Sequence, residues 1–441
     1  MLRRASRRGL IRAAPGRGAV SALRHRPLTP RRSTAFARVQ SCNDHDANED
    51  VPLCATDKSG NELIVNCNKA AVLEGQDTGP SVRPHESIAP PGGLYIPSLD
   101  GIRGISFFLV FFAHAGLGAV FIPGGFGVTI FFLLSGFLIT TLLRLEFARY
   151  RRISLGGFYL RRVFRILPPL YVTLVLAIVL YRMGERHPAI PFAGTLAQAL
   201  QVSNYYQIYG APAGIIPGSA VLWSLAVEEH FYLLFPLLYV WMCPRFSVYR
   251  QTFVLLMLCA AALAWRCILH FHFHADVVRT FYATDTRFDS ILFGCVFAIV
   301  ANPILHDPLH GSILRRMKWV LPLCVVVLLG TFLDREESFR ETLRYTLQGL
   351  ALIPLFIAAI HYQKSWPVLF LNLPLIRFLG VLSYSLYLCH SIIMASIDSV
   401  WTANPVLAHA VCLACALCFA TLVHYWIERP CTRIRKRLSK V

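Results

Sequence analysis

The sequence predicts an all-α, polytopic transmembrane helical bundle of about ten spans with both termini cytosolic. Three observations predict it. Hydrophobic residues fill 55% of the 441 positions and charged residues only 15%, where a soluble domain has roughly 45–50% and about 25%. The apolar residues come in blocks of roughly 17–22, the length that crosses ~30 Å of hydrocarbon at ~1.5 Å per residue. The loops between blocks alternate between arginine-rich and charge-balanced, as orientation by cytosolic positive charge requires.

Residues 1–95 precede the first block and read as a basic, disordered leader, rich in Arg, Pro and Gly and without a sustained period. The first 40 residues hold 11 arginines and no acid, which is +11 of the formal net charge of +19. This start resembles an organellar transit peptide; a basic tail on the cytosolic face has the same composition and is the simpler reading. The other +8 lies mostly in short loops and in the tail around Arg433, Arg435, Lys436 and Arg437. Basic residues flanking apolar spans orient them and attract anionic lipid, so the charge argues for membrane lipid as partner and against nucleic acid. Of the 13 cysteines, most fall inside apolar blocks, among them Cys259, Cys267, Cys295 and Cys389. Thiols there pack as small hydrophobes. Cys42, Cys54 and Cys67 lie in the leader and pair only in an oxidising compartment.

The expected spans are 104–122, 126–143, 166–182, 220–242, 251–270, 288–303, 318–333, 345–361, 376–396 and 405–427. A further block, 192–209, carries Gln198, Gln201, Ser203 and Asn204, too polar to face lipid. It is expected to be re-entrant, interfacial or buried inside the bundle. The loop after the second span carries Arg144, Arg149, Arg151, Arg152, Arg161, Arg162 and Arg165 against Glu146, and so faces the cytosol. If 192–209 does not cross, the later basic loops and the basic tail 431–441 fall on the same side. If it crosses, they all invert. Ten spans is therefore the better count.

Charges inside spans are functional candidates, because each costs roughly 2.5–3.5 kcal/mol on insertion scales. Arg103 and His114 are 11 residues apart in the first span. That is about 20° from three full helical turns, so both side chains share a face, ~16 Å apart along the axis. Arg103 is expected at the cytosolic rim and His114 near mid-membrane, where a histidine can exchange a proton near neutral pH. A structural histidine bonded to a neighbouring helix fits the same position. In the fourth span the adjacent Glu228 and Glu229 point about 100° apart, so at least one faces inward. Ser224 and Glu228 lie one turn apart on one face. An inward Glu could orient a histidine, or simply lock two helices together. Arg162 and Arg165 share a face just before Pro168-Pro169. Guanidinium forks there match phosphate oxygens, although a cytosolic arginine also serves topology alone. His270, His272 and His274 sit on a loop with no partner cluster evident. No Walker loop, dinucleotide-binding glycine motif, nucleophile elbow or zinc spacing is found, so no metal and no tightly bound cofactor is expected.

Taken together, these residues resemble acyltransferase family 3, the bacterial membrane O-acyltransferases of polysaccharides, lipid-linked sugars and antibiotics. Leu99-Asp100-Gly101-Ile102-Arg103-Gly104 with His114 resembles the family's opening motif. Phe126-Gly127-Val128 through Ser135-Gly136-Phe137 is similar to its second-span signature, and Arg162-x-x-Arg165 to its Arg-x-x-Arg motif. Trp223 through Tyr232, and Leu379-Gly380 with Ser383-Tyr384-Ser385-Leu386-Tyr387 and His390, are similar to two later blocks. The likeness covers about 95–430, in order. It implies a ten-span core in a bacterial inner membrane and a cytosolic acyl-CoA, acetyl-CoA by default, as co-substrate. It also implies a glycan or lipid-linked sugar as hydroxyl acceptor, and hence polysaccharide modification in the cell envelope. The resemblance further implies that His114 is essential and that Arg103, Arg162 and Arg165 serve the donor; the mechanism expected from this makes His114 the base, or briefly the acyl carrier, oriented by Glu228, with Glu229, Ser224, Tyr387 and His390 as acceptor-side candidates. Some members carry a C-terminal esterase domain of the SGNH type, which is not expected here because the last span closes near Val441. A proton-coupled transporter is the alternative for a membrane-embedded His and Glu, but no paired broken repeats are seen.

Overall fold

The computed structural model describes residues 54–56, 62–64, 96–116, 123–184, 190–210, 214–305, 311–366, 368–399, 401 and 404–438. Most of the leader, with Cys42 and Cys67, lies outside the described residues, and with it the expected disorder and cysteine pairing. Two short strands there, β1 (Cys54–Thr56) and β2 (Glu62–Ile64), pair antiparallel with Cys54 opposite Ile64. They belong to a separate unit, Met1–Arg83.

The second unit, Pro84–Val441, is built of helices. The first three are α1 (Pro97–His114), α2 (Gly124–Tyr150) and α3 (Leu155–Met183). The polar block then forms two short helices, α4 (Phe192–Ala199) and α5 (Ser203–Tyr209). A 3₁₀ turn, Ser219–Leu222, leads into α6 (Trp223–Met242), followed by α7 (Val248–Phe271), α8 (Val277–Tyr282) and α9 (Thr284–Val300). Next come α10 (Gly311–Leu333), α11 (Glu337–Glu341), α12 (Leu343–His361) and α13 (Val368–Leu371). The chain closes with α14 (Pro374–Asp398), α15 (Pro405–Val423), a π-helical turn His424–Glu428 and α16 (Arg429–Leu438).

Each expected apolar block contains a long helix, and among the described residues eight helices are long and apolar enough to cross a membrane. The two blocks below that measure are α1 and α9. Helix α9 carries Asp285, Arg287 and Asp289, the last two fully buried. Its two acids are paired with arginines inside the bundle, so its hydropathy understates how deeply it sits. Arg266 of α7 holds Asp289 at 2.8 Å. Helix α2 is 78% buried over its most apolar window, whereas the corresponding window of α10 is only 22% buried. The inner helices are therefore packed on nearly all sides. The outer ones present bare apolar side chains such as Leu323, Val326 and Leu329, which hydrocarbon tolerates and water does not.

Close helix approach uses glycine, as expected where hydrocarbon supplies no hydrophobic drive and packing must. A Cβ on Gly380 would fall 1.7 Å from the Asp100 carbonyl oxygen, and one on Gly101 would fall 2.1 Å from that of Leu371. The α1 and α14 backbones thus touch where Asp100 and Arg103 leave α1. Gly218 has φ of 78° and faces the Ser391 carbonyl. Only glycine fits that left-handed turn, which sets the entry of α6.

Three boundaries differ from the sequence reading. Residues 192–209 form no single segment: Gln201, with φ of 59°, breaks the block into helices of 8 and 7 residues. Each spans only ~12 Å. The polar groups are buried instead, with Gln198 bonded to Ser219 and Asn204 to Thr284. Helix α3 starts at Leu155, capped by the Ser154 hydroxyl, not at 166. Pro168 and Pro169 therefore lie inside it, and Arg161, Arg162 and Arg165 sit on a helix, not in a loop. Helix α1 starts at Pro97, whose fixed φ suits a first turn, and ends at His114. Arg103 is thus ~9 Å inside the helix and His114 is its last residue. The tail residues through Leu438 continue as α16.

Candidate active site

A cavity of about 320 Å³ opens between α1, α2, α3, α6 and α14. Its polar lining is Asp100 and Arg103 of α1, Ser135 of α2, Arg162 and Arg165 of α3, Ser224, Glu228 and Tyr232 of α6, and Ser383, Tyr384 and Tyr387 of α14. Five sequence motifs, spread over nearly 300 residues, thereby converge on one space. Three arginines face two carboxylates there. Arg103 is held by Asp100 at 2.9 Å, one turn back on the same helix. The Arg162 guanidinium lies 4.7 Å over the Tyr232 ring, a cation–π contact that positions it while leaving its N–H fork available. Arg165 is exposed. Glu228 is spoken for: Ser135 donates to Oε1 at 2.8 Å and Tyr232 to Oε2 at 3.0 Å.

His114 is not part of that lining. Its Nδ1 lies 3.1 Å from Nε2 of the fully buried His390. Nδ1 of His390 faces two backbone carbonyls, Tyr387 at 2.8 Å and Leu386 at 3.2 Å. Carbonyls only accept, so His390 carries its proton on Nδ1. As a neutral ring it then accepts at Nε2, and His114 must donate from Nδ1. The Nε2 lone pair of His114 is left free for a proton. Phe107 packs edge-on against His390 with centroids 5.7 Å apart. Tyr387 links the two centres: it lines the cavity and its ring lies 5.7 Å from His390. Its hydroxyl is 2.6 Å from that of Ser224.

The structure thus brings together Arg103, Arg162, Arg165, Glu228, Ser224 and Tyr387, and separately His114 with His390. The expected pairing of Glu228 with His114 is not made; His390 occupies that orienting position, one of the residues placed on the acceptor side. Glu229 points elsewhere, with Oε1 buried and lacking a partner among the described residues. Sequence reading gave no role to Asp100, Ser135, Tyr232 or Tyr384. The signal for Tyr232 was present, since it lies one turn after Glu228. Ser135 meets Glu228 across 93 residues, which no local spacing reveals. His270, expected on a loop, lies instead in the last turn of α7, 3.4 Å from Glu341.

A family model described as an acyltransferase domain (acyltransferase family 3) matches residues 96–426. Among curated proteins, the O-acetyltransferase OatA of Staphylococcus aureus (strain NCTC 8325 / PS 47) is 29% identical over 354 residues, covering 78% of this chain and 58% of OatA. The putative peptidoglycan O-acetyltransferase YrhL of Bacillus subtilis (strain 168) is 31% identical over 364 residues, covering 76% of this chain and 55% of YrhL. The chain spans a little over half the length of these relatives. No solved structure matches. With the family model covering three quarters of the sequence and its motifs gathered round one cavity and one histidine pair, the chain belongs to acyltransferase family 3.

Proposed function

We propose that the protein is a membrane O-acyltransferase that moves an acyl group, acetyl by default, from acyl-CoA to a hydroxyl of a glycan or lipid-linked sugar. The observation that carries this reading is the convergence of Arg103, Arg162 and Arg165 on one cavity next to an oriented histidine pair. A cavity of about 320 Å³ is within the size range of small-molecule sites. Guanidinium forks suit the phosphates of coenzyme A, and the apolar lining from Val128 to Leu142 suits its pantetheine arm. The relatives' names, O-acetyltransferase and peptidoglycan O-acetyltransferase, support acetyl as the group and a glycan as the acceptor. The transporter alternative finds no support in them.

In this reading ten helices cross the membrane: the eight apolar ones, with α1 and α9 completing the count inside the bundle. The basic ends of α2 and α3, and α16, then share the cytosolic side with the donor cavity and both termini. The reading places the protein in the cell envelope, in a bacterial inner membrane, and the relatives' peptidoglycan O-acetyltransferase name supports that placement. The acceptor hydroxyl gives its proton to Nε2 of His114 as its oxygen attacks the thioester carbon. The C–O bond forms, the C–S bond breaks, and the proton passes to the departing thiolate. His390 holds the tautomer that makes Nε2 the base. General-base catalysis of this kind contributes typically 10²–10⁴-fold.

The test is transfer from acetyl-CoA to a peptidoglycan or polysaccharide fragment by purified protein in nanodiscs. His114→Ala should lower transfer by at least about 100-fold while acetyl-CoA still binds. A fully active His114→Ala variant sinks the assignment.

A further inference from the structure

A second cavity, of about 200 Å³, lies where α2 begins and α12 begins, and shares no residue with the first. Gly124 and Gly125 form one wall, Phe281 and Tyr345 another, and Arg340 and Arg344 a third. Among the described residues its lining holds no carboxylate. We propose that this cavity binds an anionic group, a carboxylate or a phosphate, carried by the saccharide acceptor; the inference rests on the glycan acyltransferase reading above.

Four observations converge on an anion. First, Arg344 is only 7% exposed and is fixed by a bond from Nη2 to the Tyr345 hydroxyl at 3.1 Å. A guanidinium withdrawn from water without an anion costs several kcal/mol, and the cavity is where its remaining N–H groups can meet one. Arg340 is exposed at the same cavity, and its side chain has no bonded partner among the described residues. Second, two nearby acids are drawn to other partners: Asp285 takes Arg279 and Trp265, and Glu341 takes Thr280 and His270 through Oε2, while Glu337, one turn before Arg340, is exposed and does not line the cavity. Third, the wall at Gly124 and Gly125 is the N-terminus of a 27-residue helix. The Phe126 N–H is taken by the Pro123 carbonyl, whereas those of Gly124 and Gly125 have no partner within the helix, whose N-terminus carries about half a positive charge. A Cβ on Gly125 would sit 3.1 Å from the Phe281 ring, so glycine keeps the cradle open. Fourth, Arg287 stands directly behind the aromatic wall, 3.8 Å over the Tyr345 ring and 5.2 Å from that of Phe281. It is fully buried, and its Nε and Nη1 lack partners among the described residues. Its charge adds to the field in the cavity without contact.

Position ties this site to the reaction. Gly124 packs so close to Ala113 that a Cβ there would fall 2.5 Å from the alanine's. Ala113 immediately precedes His114, so an anion held here is one helix end away from the general base. The volume suits a single charged substituent of a sugar, whereas the donor's phosphates have their own arginines at the other cavity. An acceptor anchored by its charge would present a neighbouring hydroxyl to His114 in a fixed register, the entropic advantage of a positioned reactant.

The test is titration calorimetry on the full chain in nanodiscs with three probes: a uronic-acid oligosaccharide, the same oligosaccharide with its carboxyls reduced to alcohols, and a hexose phosphate. One of the two charged probes should bind at least about tenfold more tightly than the neutral one, and Arg340→Gln and Arg344→Gln should each remove most of that difference, as loss of a charge-assisted hydrogen bond implies. Which charged probe binds distinguishes carboxylate from phosphate. Arg340→Gln changes an exposed side chain, so its result stands even where Arg344→Gln perturbs folding. Equal binding of charged and neutral probes, or charge-selective binding unchanged by Arg340→Gln, overturns the proposal. Transfer assayed on the same preparations separates the two readings. Charge-selective binding without transfer removes the acyltransferase and keeps the anion site; transfer without charge selectivity does the reverse.

Discussion

Arg266 and Arg162 both lie within the helical body, yet their surroundings differ in kind. Arg266 is fully buried and bonded on every nitrogen: Nε to the Thr342 carbonyl, Nη1 to that of Thr286, and Nη2 to Asp289 and Thr346. It ties α7, α9 and α12 into one block and leaves nothing to offer a ligand. Arg162 has an aromatic face against it and an open cavity in front, and its neighbours Arg103 and Arg165 are likewise only part-buried or exposed. The same side chain is thus a fastener where its hydrogen bonds are closed and a receptor where they are left open. Composition cannot distinguish the two; the count of satisfied N–H groups can.

The largest expected effect breaks the closed arginine. Asp289→Ala would leave Arg266 as an uncompensated buried cation, and breaking such a pair costs roughly 3–5 kcal/mol. The expected outcome is loss of the monodisperse species on size-exclusion chromatography in mild detergent, or a large fall in its thermal midpoint. A variant as stable as the parent would mean that α7, α9 and α12 are not held by this network.

The open arginines should behave in the opposite way. Arg162→Gln and Arg165→Gln should leave the thermal midpoint nearly unchanged but weaken acetyl-CoA binding by about 10–100-fold each, the worth of a charged hydrogen bond at ~1.5–3 kcal/mol. Binding measured by calorimetry checks this directly. Unchanged donor affinity would remove the phosphate role and leave these arginines as topology signals.

Much of this contrast was legible in the sequence, and the remainder was not for identifiable reasons. Helical periodicity placed Ser224 with Glu228 and Arg162 with Arg165 on shared faces, and all four line the cavity. Span lengths located every long helix, because apolar block length is a local property. The start of α1 was misplaced because it depends on Pro97 and the glycine contact with α14, both outside the apolar run. The partner of His114 was missed for a related reason. Glu228 is the chemically obvious mate of a histidine, but Ser135 and Tyr232 hold it, and His390, 276 residues from His114 in sequence, takes the position. Nothing in the spacing of either residue encodes that contact. The second cavity escaped sequence reading because Arg340 and Arg344 look like ordinary loop charges until α2's N-terminus is packed beside them.

The smallest expected effect probes the seam between the fastened and open regions. Tyr384 lines the donor cavity and donates to the Ile166 carbonyl of α3 at 2.8 Å, so it is both wall and tie. Hydrogen bonds between membrane helices contribute about 0.6 kcal/mol on average, because the unfolded chain in lipid also finds partners. Tyr384→Phe keeps the ring and removes only that tie. It should therefore lower stability by ~0.6 kcal/mol and weaken acetyl-CoA binding by no more than about threefold, through a slight loosening of α3 and hence of Arg162 and Arg165. Thermal midpoint and donor affinity measured on one preparation decide it. A loss as large as that of Arg162→Gln would show the Tyr384 hydroxyl to be a ligand of the donor in its own right, and would move the boundary between the two regions onto α14.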